Sequence, residues 1–265
     1  MQPFFIFKNV DSRDMGVLVN KLPPINKPEK NIERIEVVGR NGFLTQDYGT
    51  YKSNIKPVEC TLLDKNRLDE VCSWLDGTGN IVFSNEDNKA YTGTIINQIP
   101  FTQSLTLVRY RFIINFEVQP FKYDRYNTEI IKIIENNVIR NSKVIHPLAA
   151  LNYTGGNLVE VNKMATINES NSMEINNPGT KESDPVITIY GYGNIDLNIN
   201  DNIINLTNVS SSITIDSEIM DCYRDGQLFN NYMKGEFPIF KTGVNKISWM
   251  GNVQRIEIKP NWRWL

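Results

Sequence analysis

Histidine is almost absent from this sequence: His146 is the only one in 265 residues. A zinc site, or a Ser-His-Asp or Cys-His relay, would have to be built around that one imidazole. It sits in "VIHPLAAL", directly before a proline in an apolar run, where a buried or linker histidine explains it as well. Cysteine is nearly as scarce. Cys60, Cys72 and Cys222 are odd in number, their spacings match no metal or redox pattern, and they read as small hydrophobes. No apolar run approaches the roughly 20 residues of a membrane span. The run Phe4-Phe5-Ile6-Phe7 is too short for a secretion signal and has no basic segment before it, so folding in a cytoplasm is expected. Positive charge is not in excess either: 28 Lys and Arg face 30 Asp and Glu, for a net charge of −2. That balance gives no long-range attraction to nucleic acid or to an anionic membrane.

What is present is the composition of a globular chain, 40% hydrophobic and 22% charged. Asparagine and isoleucine are abundant, at 34 and 32 copies, while alanine is scarce. Their codons are AT-rich, so four N-x-S/T matches, such as Asn205-Leu206-Thr207, are expected by chance.

Period-two alternation dominates. In Leu107–Val118, residues Val108, Tyr110, Phe112, Ile114, Phe116 and Val118 share one face, and Arg109, Arg111, Asn115 and Glu117 the other, with Ile113 breaking the rule. Pro120 should end that strand. Ile32–Val38 leads into Gly39-Arg40-Asn41-Gly42, a hairpin turn signal. Val58, Cys60 and Leu62 alternate with Glu59 and Thr61, and Ile81–Phe83 and Tyr91–Ile99 supply further strands around the turn-rich Ser84–Lys89. A single helix interrupts them. "DKNRLDEVCSWLDGTG" spaces Leu68, Val71, Cys72 and Leu75 at i, i+3, i+4 and i+7, with Asp64 or Asn66 as N-cap and Gly77 past the end. "TEIIKIIENNVIR" fits a helix or a strand, and Tyr153–Asn157 is loop-like. Beyond Met173, short strands recur at Val186–Tyr190, Ile195–Ile199, Ile203–Leu206, Ser212–Ile215, Ile247–Trp249 and Val253–Ile258, as in a β-sandwich. The expected fold is mainly β, in three parts. Residues 1–126 form an antiparallel β domain with one covering helix, 127–172 a connector, and 173–265 a β-sandwich.

Chemistry-bearing motifs fail one by one. "DLNINDN" begins like an EF-hand loop, but Asp201 and Thr207 stand where glycine and glutamate are needed. "GYG" at Gly191–Gly193 has no third glycine and no helix after it. There is no P-loop and no basic, aromatic-interleaved patch. The 30 carboxylates contain no pair that sequence can single out as acid and base. No catalytic residue, metal ligand or cofactor is expected, and no binding residue is identified.

Seven stretches in order carry a likeness. They are "FIFKNVDSRDMGVLV", "IERIEVVGRNGFL", "CTLLDKNRLDEVCSWLDGTGNIVFSNEDNKAYTG", "YRFIINFEVQPFKYD", "INNPGTKESDPVITIYGYGNIDLNI", "ITIDSEIMDCY" and "GEFPIFKTGVNKISWMGNVQRIEIKPNWRWL". Together they resemble the distal tail protein (Dit) family of siphophages, the baseplate or tail-tip hub of long non-contractile bacteriophage tails. The resemblance implies a structural protein without enzymatic activity. Its N-terminal domains would form a hexameric ring between tail tube and tip, and its C-terminal domain would be a galectin-like β-sandwich facing outward. The implied partners are further copies of itself, the tail tube protein, the tape-measure protein, a tail-associated lysin or fibre and a receptor-binding protein. The implied location is the distal end of the virion tail, after assembly in the bacterial host cytoplasm.

Two other classes compete. A carbohydrate-binding module for host cell-wall glycan would use an exposed aromatic platform, with Trp249, Trp262 and Trp264 as candidates, although core packing is the commoner use of such residues. A cell-wall hydrolase is motivated only by the infection context. The ending "VQRIEIKPNWRWL" bears on the first. Alternation puts Trp262 and Trp264 on one side and Arg263 on the other, as expected of a terminus locked onto the sandwich.

Overall fold

The computed structural model describes residues 2–103, 109–125, 130–134, 140–142, 165–168 and 171–265; Val108, His146 and Tyr153–Asn157 lie outside the described residues. The chain divides into two compact units between Arg125 and Tyr126.

The first unit contains β1 (Phe5–Phe7), β2 (Val10–Asp11), β3 (Val17–Lys21), β4 (Lys30–Glu36), β5 (Phe43–Tyr51), β6 (Asn54–Leu62), α1 (Leu68–Trp74), β7 (Thr78–Phe83), β8 (Lys89–Ile95), β9 (Thr102–Gln103), β10 (Tyr110–Val118) and β11 (Lys122–Asp124). Its sheet runs in the order β2-β1-β7-β8-β10-β6-β3, antiparallel throughout. Alternation along β10 does what the sequence predicts: Phe112, Ile114, Phe116 and Val118 are buried while Ile113 is exposed. The strand stops at Val118, one residue short of Pro120, and β11 then rejoins the same edge of β8 through Tyr123 opposite Ala90.

The helix departs from its predicted face. Its first turn is a tighter 3-10 turn at Lys65–Arg67, capped by the Asp64 side chain, which accepts from the Asn66 backbone N–H at 2.9 Å. That tightening shifts the buried stripe to Val71, Trp74 and Leu75, and leaves Cys72 exposed rather than inward. Trp74 stacks on Phe5 at 5.4 Å and donates from Nε1 to the Phe7 carbonyl at 3.0 Å, so its one polar atom is satisfied inside the core. Gly77 takes φ +73°, the left-handed conformation expected past a helix end.

The second unit contains β12 (Ile130–Ile134), β13 (Arg140–Ser142), β14 (Ala165–Asn168), β15 (Ser172–Asn177), β16 (Val186–Ile199), β17 (Asn202–Asp216), β18 (Asp221–Arg224), β19 (Gln227–Leu228), β20 (Met233–Lys234), β21 (Gly243–Lys259) and β22 (Arg263–Trp264). The expectation of six short strands is corrected here: three long strands, β16, β17 and β21, each contain two of them. Two of the three change partner halfway, β17 from β20 to β18 and β21 from β15 to β12. β16 keeps the same two neighbours, β17 and β21, along its length, with register shifts against β21 at Tyr190/Gly191 and Tyr192/Asp196. Both halves bury their alternate side chains in one cluster that includes Ile189, Ile195, Leu206, Ile213, Ile247 and Ile256. The turn-like residues between the predicted short strands are therefore bulged bends inside continuous strands. The ambiguous "TEIIKIIENNVIR" is a strand over Ile130–Ile134, with Ile131 and Ile133 in that core.

Candidate assembly surface

Among the described residues no group of three or more His, Cys, Asp or Glu side chains is placed to hold a metal ion, and no helix is long and apolar enough to cross a membrane. The unusual surface is β4–β5. Among the described residues these strands pair only with each other, Ile35 opposite Leu44 and Glu36 opposite Phe43, as a two-stranded ribbon outside the main sheet of the first unit.

Its sequence explains why it is unusual. A ribbon with one buried side would alternate cleanly, yet Ile35 and Leu44 occupy one face while Ile32 and Phe43 occupy the other. All four, with Tyr48, are between 37% and 48% exposed. An isolated two-stranded ribbon is at best marginally stable in water. What holds this one is local and polar. Lys30 pairs with Asp47 at 2.5 Å, which raises the lysine above its ordinary pKa through the hydrogen bond and the adjacent charge. The Tyr48 hydroxyl donates to Glu33, and the Arg34 guanidinium lies 4.9 Å from the centre of the Phe43 ring. Such exposed pairs are screened by solvent and add little stability. The turn is made by Gly39 and Gly42, both near φ +80°, so the predicted Asn41-Gly42 reversal is where the chain turns. Sequence reasoning found the hairpin but not its isolation. The missing signal was the adjacent apolar pair Phe43-Leu44, which no one-sided ribbon can hide.

The tryptophans proposed as a sugar platform are differently placed. Trp262 is 2% exposed, its ring 5.7 Å from that of Phe240, so it cannot serve as a platform. Trp249 and Trp264 are half-buried against the same core. The second unit has an open groove of about 510 Å³, lined by polar side chains including Glu174, Asn198, Asn200, Lys246 and Ser248, with no aromatic residue in its lining. It offers hydrogen bonds but no ring on which a sugar could stack.

Neither a protein-family model nor a curated relative matches the sequence. The fold, by contrast, has solved counterparts, among them phage hub and baseplate proteins. The chain matches the Dit protein (gp 19.1) of phage SPP1 with a TM-score of 0.69 at 11% identity over 100% of both chains. That protein is described as a paradigm of the hub adsorption apparatus in phages that infect Gram-positive bacteria. A chain of the phage P2 baseplate in its activated conformation matches with a TM-score of 0.50 at 12% identity over 97% of both chains.

Proposed function

We propose that this protein is the structural hub of a long, non-contractile phage tail, acting by self-association and partner docking without catalysis. The observation that carries the reading is the β4–β5 arm, a ribbon with apolar side chains exposed on both faces in a chain with the Dit fold. A surface of this kind is stabilised by being covered. The occupant we assign to it is a second copy of the chain. The fold match runs the whole length of a hub protein, and a head-to-tail contact of one arm with the next subunit closes into a ring when the rotation permits.

On this reading the first unit forms a hexameric ring and the second unit, with β12 at Ile130–Ile134 in its core, is the outward-facing, galectin-like domain. The ring joins the tail tube and tape-measure protein on one side to the lysin or fibre and receptor-binding proteins on the other. It is assembled in the host cytoplasm and carried at the distal end of the virion tail. Negative-stain images of the purified chain test this directly: six-fold rings support it. Monomers at high concentration that form no ring even beside tail tube protein would refute it.

A further inference from the structure

The arm has no core of its own, so something must fix the direction in which it leaves the first unit. The connection into it, "LPPINKPE" at Leu22–Glu29, contains three prolines and no strand. Proline fixes φ and has no N–H, so the handles by which Pro23 and Pro24 can be held are their carbonyls. Both are held, one by a side chain from the β7–β8 turn and one by a side chain from β6. Asn85 Nδ2 donates to the Pro23 carbonyl at 3.0 Å, and Lys56 Nζ donates to the Pro24 carbonyl at 2.7 Å.

Lys56 is the uncommon member of that pair. It sits on the core-facing side of β6, in phase with Val58, Cys60 and Leu62, and is 2% exposed. A buried ammonium is costly unless it is held on several sides. The Tyr91 ring centre lies 5.3 Å from Nζ. The Glu86 carboxylate, near enough to favour the charged amine, takes hydrogen bonds from Tyr91 Oη at 2.5 Å and Lys122 Nζ at 2.8 Å. Burial is the larger influence and lowers the Lys56 pKa, with Lys122 pushing the same way. For core stability alone, a methionine of similar length would fill the slot without that cost. What the amine adds is its grip on Pro24.

The returning leg is held as well. The Lys52 backbone N–H donates to the Glu29 carbonyl at 2.8 Å, the Tyr51 ring packs edge-on against Phe121 at 5.8 Å, and Ser53 Oγ donates to Glu117 at 2.6 Å.

We propose that Lys56 and Asn85 are positioning residues for self-assembly: by gripping two consecutive proline carbonyls they aim the β4–β5 arm before it meets its neighbour. The proposal rests on the arm being the ring contact. Its physical content is preorganisation, in which the ordering cost of the arm is met by the fold rather than drawn from the binding free energy.

The experiment uses the full chain in three variants: Lys56→Met, Asn85→Ala, and the double contact variant Ile35→Asp with Leu44→Asp. Amide exchange at Lys52, whose N–H is bonded to the Glu29 carbonyl at the base of the arm, and the protein concentration at half-assembly are both read. Asn85 is exposed, so its variant folds even if Lys56→Met does not. The expected result is faster exchange at Lys52 in both pin variants. Their half-assembly concentration should also rise about tenfold or more. The contact variant should abolish assembly while exchange at Lys52 stays as in the unmodified chain. Unchanged exchange in the pin variants, or faster exchange with unchanged assembly, overturns the positioning role alone. Normal assembly in all three variants overturns the arm reading and this proposal with it.

Discussion

Trp262 and Phe240 lie ring against ring at 5.7 Å, both buried, and the last turn of the chain is built around that contact. Ser183 Oγ donates to the Pro260 carbonyl at 2.7 Å, Asn261 Nδ2 to the Asp184 carbonyl at 2.9 Å, and Thr180 N–H to the Arg263 carbonyl at 3.0 Å. Arg263 is ion-paired with Asp184. Among the described residues the indole N–H of Trp262 has no partner, so the residue contributes through packing. Trp262→Ala should lower the stability of the second unit by about 3–5 kcal/mol. Trp262→Phe keeps most of the ring, removes an unpaired donor, and should cost less than about 1.5 kcal/mol. Denaturant titration followed by tryptophan-independent circular dichroism separates the two.

The register shifts between β16 and β21 depend on glycine at two points. A Cβ on Gly191 would lie 2.2 Å from the Asn252 carbonyl oxygen, and one on Gly251, which has φ +112°, would lie 2.5 Å from that of Asn194. Either Gly→Ala substitution should destabilise the second unit by about 2 kcal/mol or more, because backbone must shift to make room. Gly193, at φ +82° with open space around it, should suffer only the smaller conformational penalty of about 1 kcal/mol. Comparing denaturation midpoints of the three variants checks the order.

Thiol chemistry should single out one cysteine of three. Burial pushes the Cys60 thiol far above its ordinary value and the Cys222 thiol up to about 11, whereas Cys72 is exposed on α1. A maleimide at neutral pH should label Cys72 on the native protein, and Cys60 and Cys222 only after denaturation. Mass spectrometry of peptides from native and unfolded samples reads this out.

The buried charges of the first unit predict an acid limb. Burial alone would raise the Glu86 pKa, but hydrogen bonds from Lys122 and Tyr91 outweigh it and hold the carboxyl below its ordinary 4.5. A carboxyl depressed in the folded state contributes stability that is present above its unfolded value and is lost as pH falls through its folded value. Stability of the first unit should therefore decline below about pH 4.5, and Glu86→Gln should flatten that part of the curve. Thermal melts from pH 3 to 7 on both proteins measure it.

Much of the architecture was legible because alternation is a direct record of which face is buried. β10, β6 and the Asn41-Gly42 reversal follow from it. Less legible were features in which a polar or glycine residue has two uses. Gly191 and Asn252 look like loop residues, yet they form a bend within paired strands, which only their tertiary contact reveals. Cys72 fits the helical stripe as well as Trp74 does; the 3-10 turn before α1 decided between them. Lys56 was in phase with the core residues of β6, and that phase was the available sign of a buried amine. The arm was seen as a hairpin, but its isolation depends on what the rest of the sheet leaves unpaired.

The central claim is that exposed apolar residues of β4–β5 join one copy of this chain to the next. The most direct test is the mass in solution, by light scattering across a concentration series, of the unmodified chain beside Ile35→Asp with Leu44→Asp. The account predicts a species of about six times the 30.5 kDa chain mass for the former and a folded monomer for the latter. A variant that assembles to the same mass, or an unmodified chain that stays monomeric throughout, would contradict it.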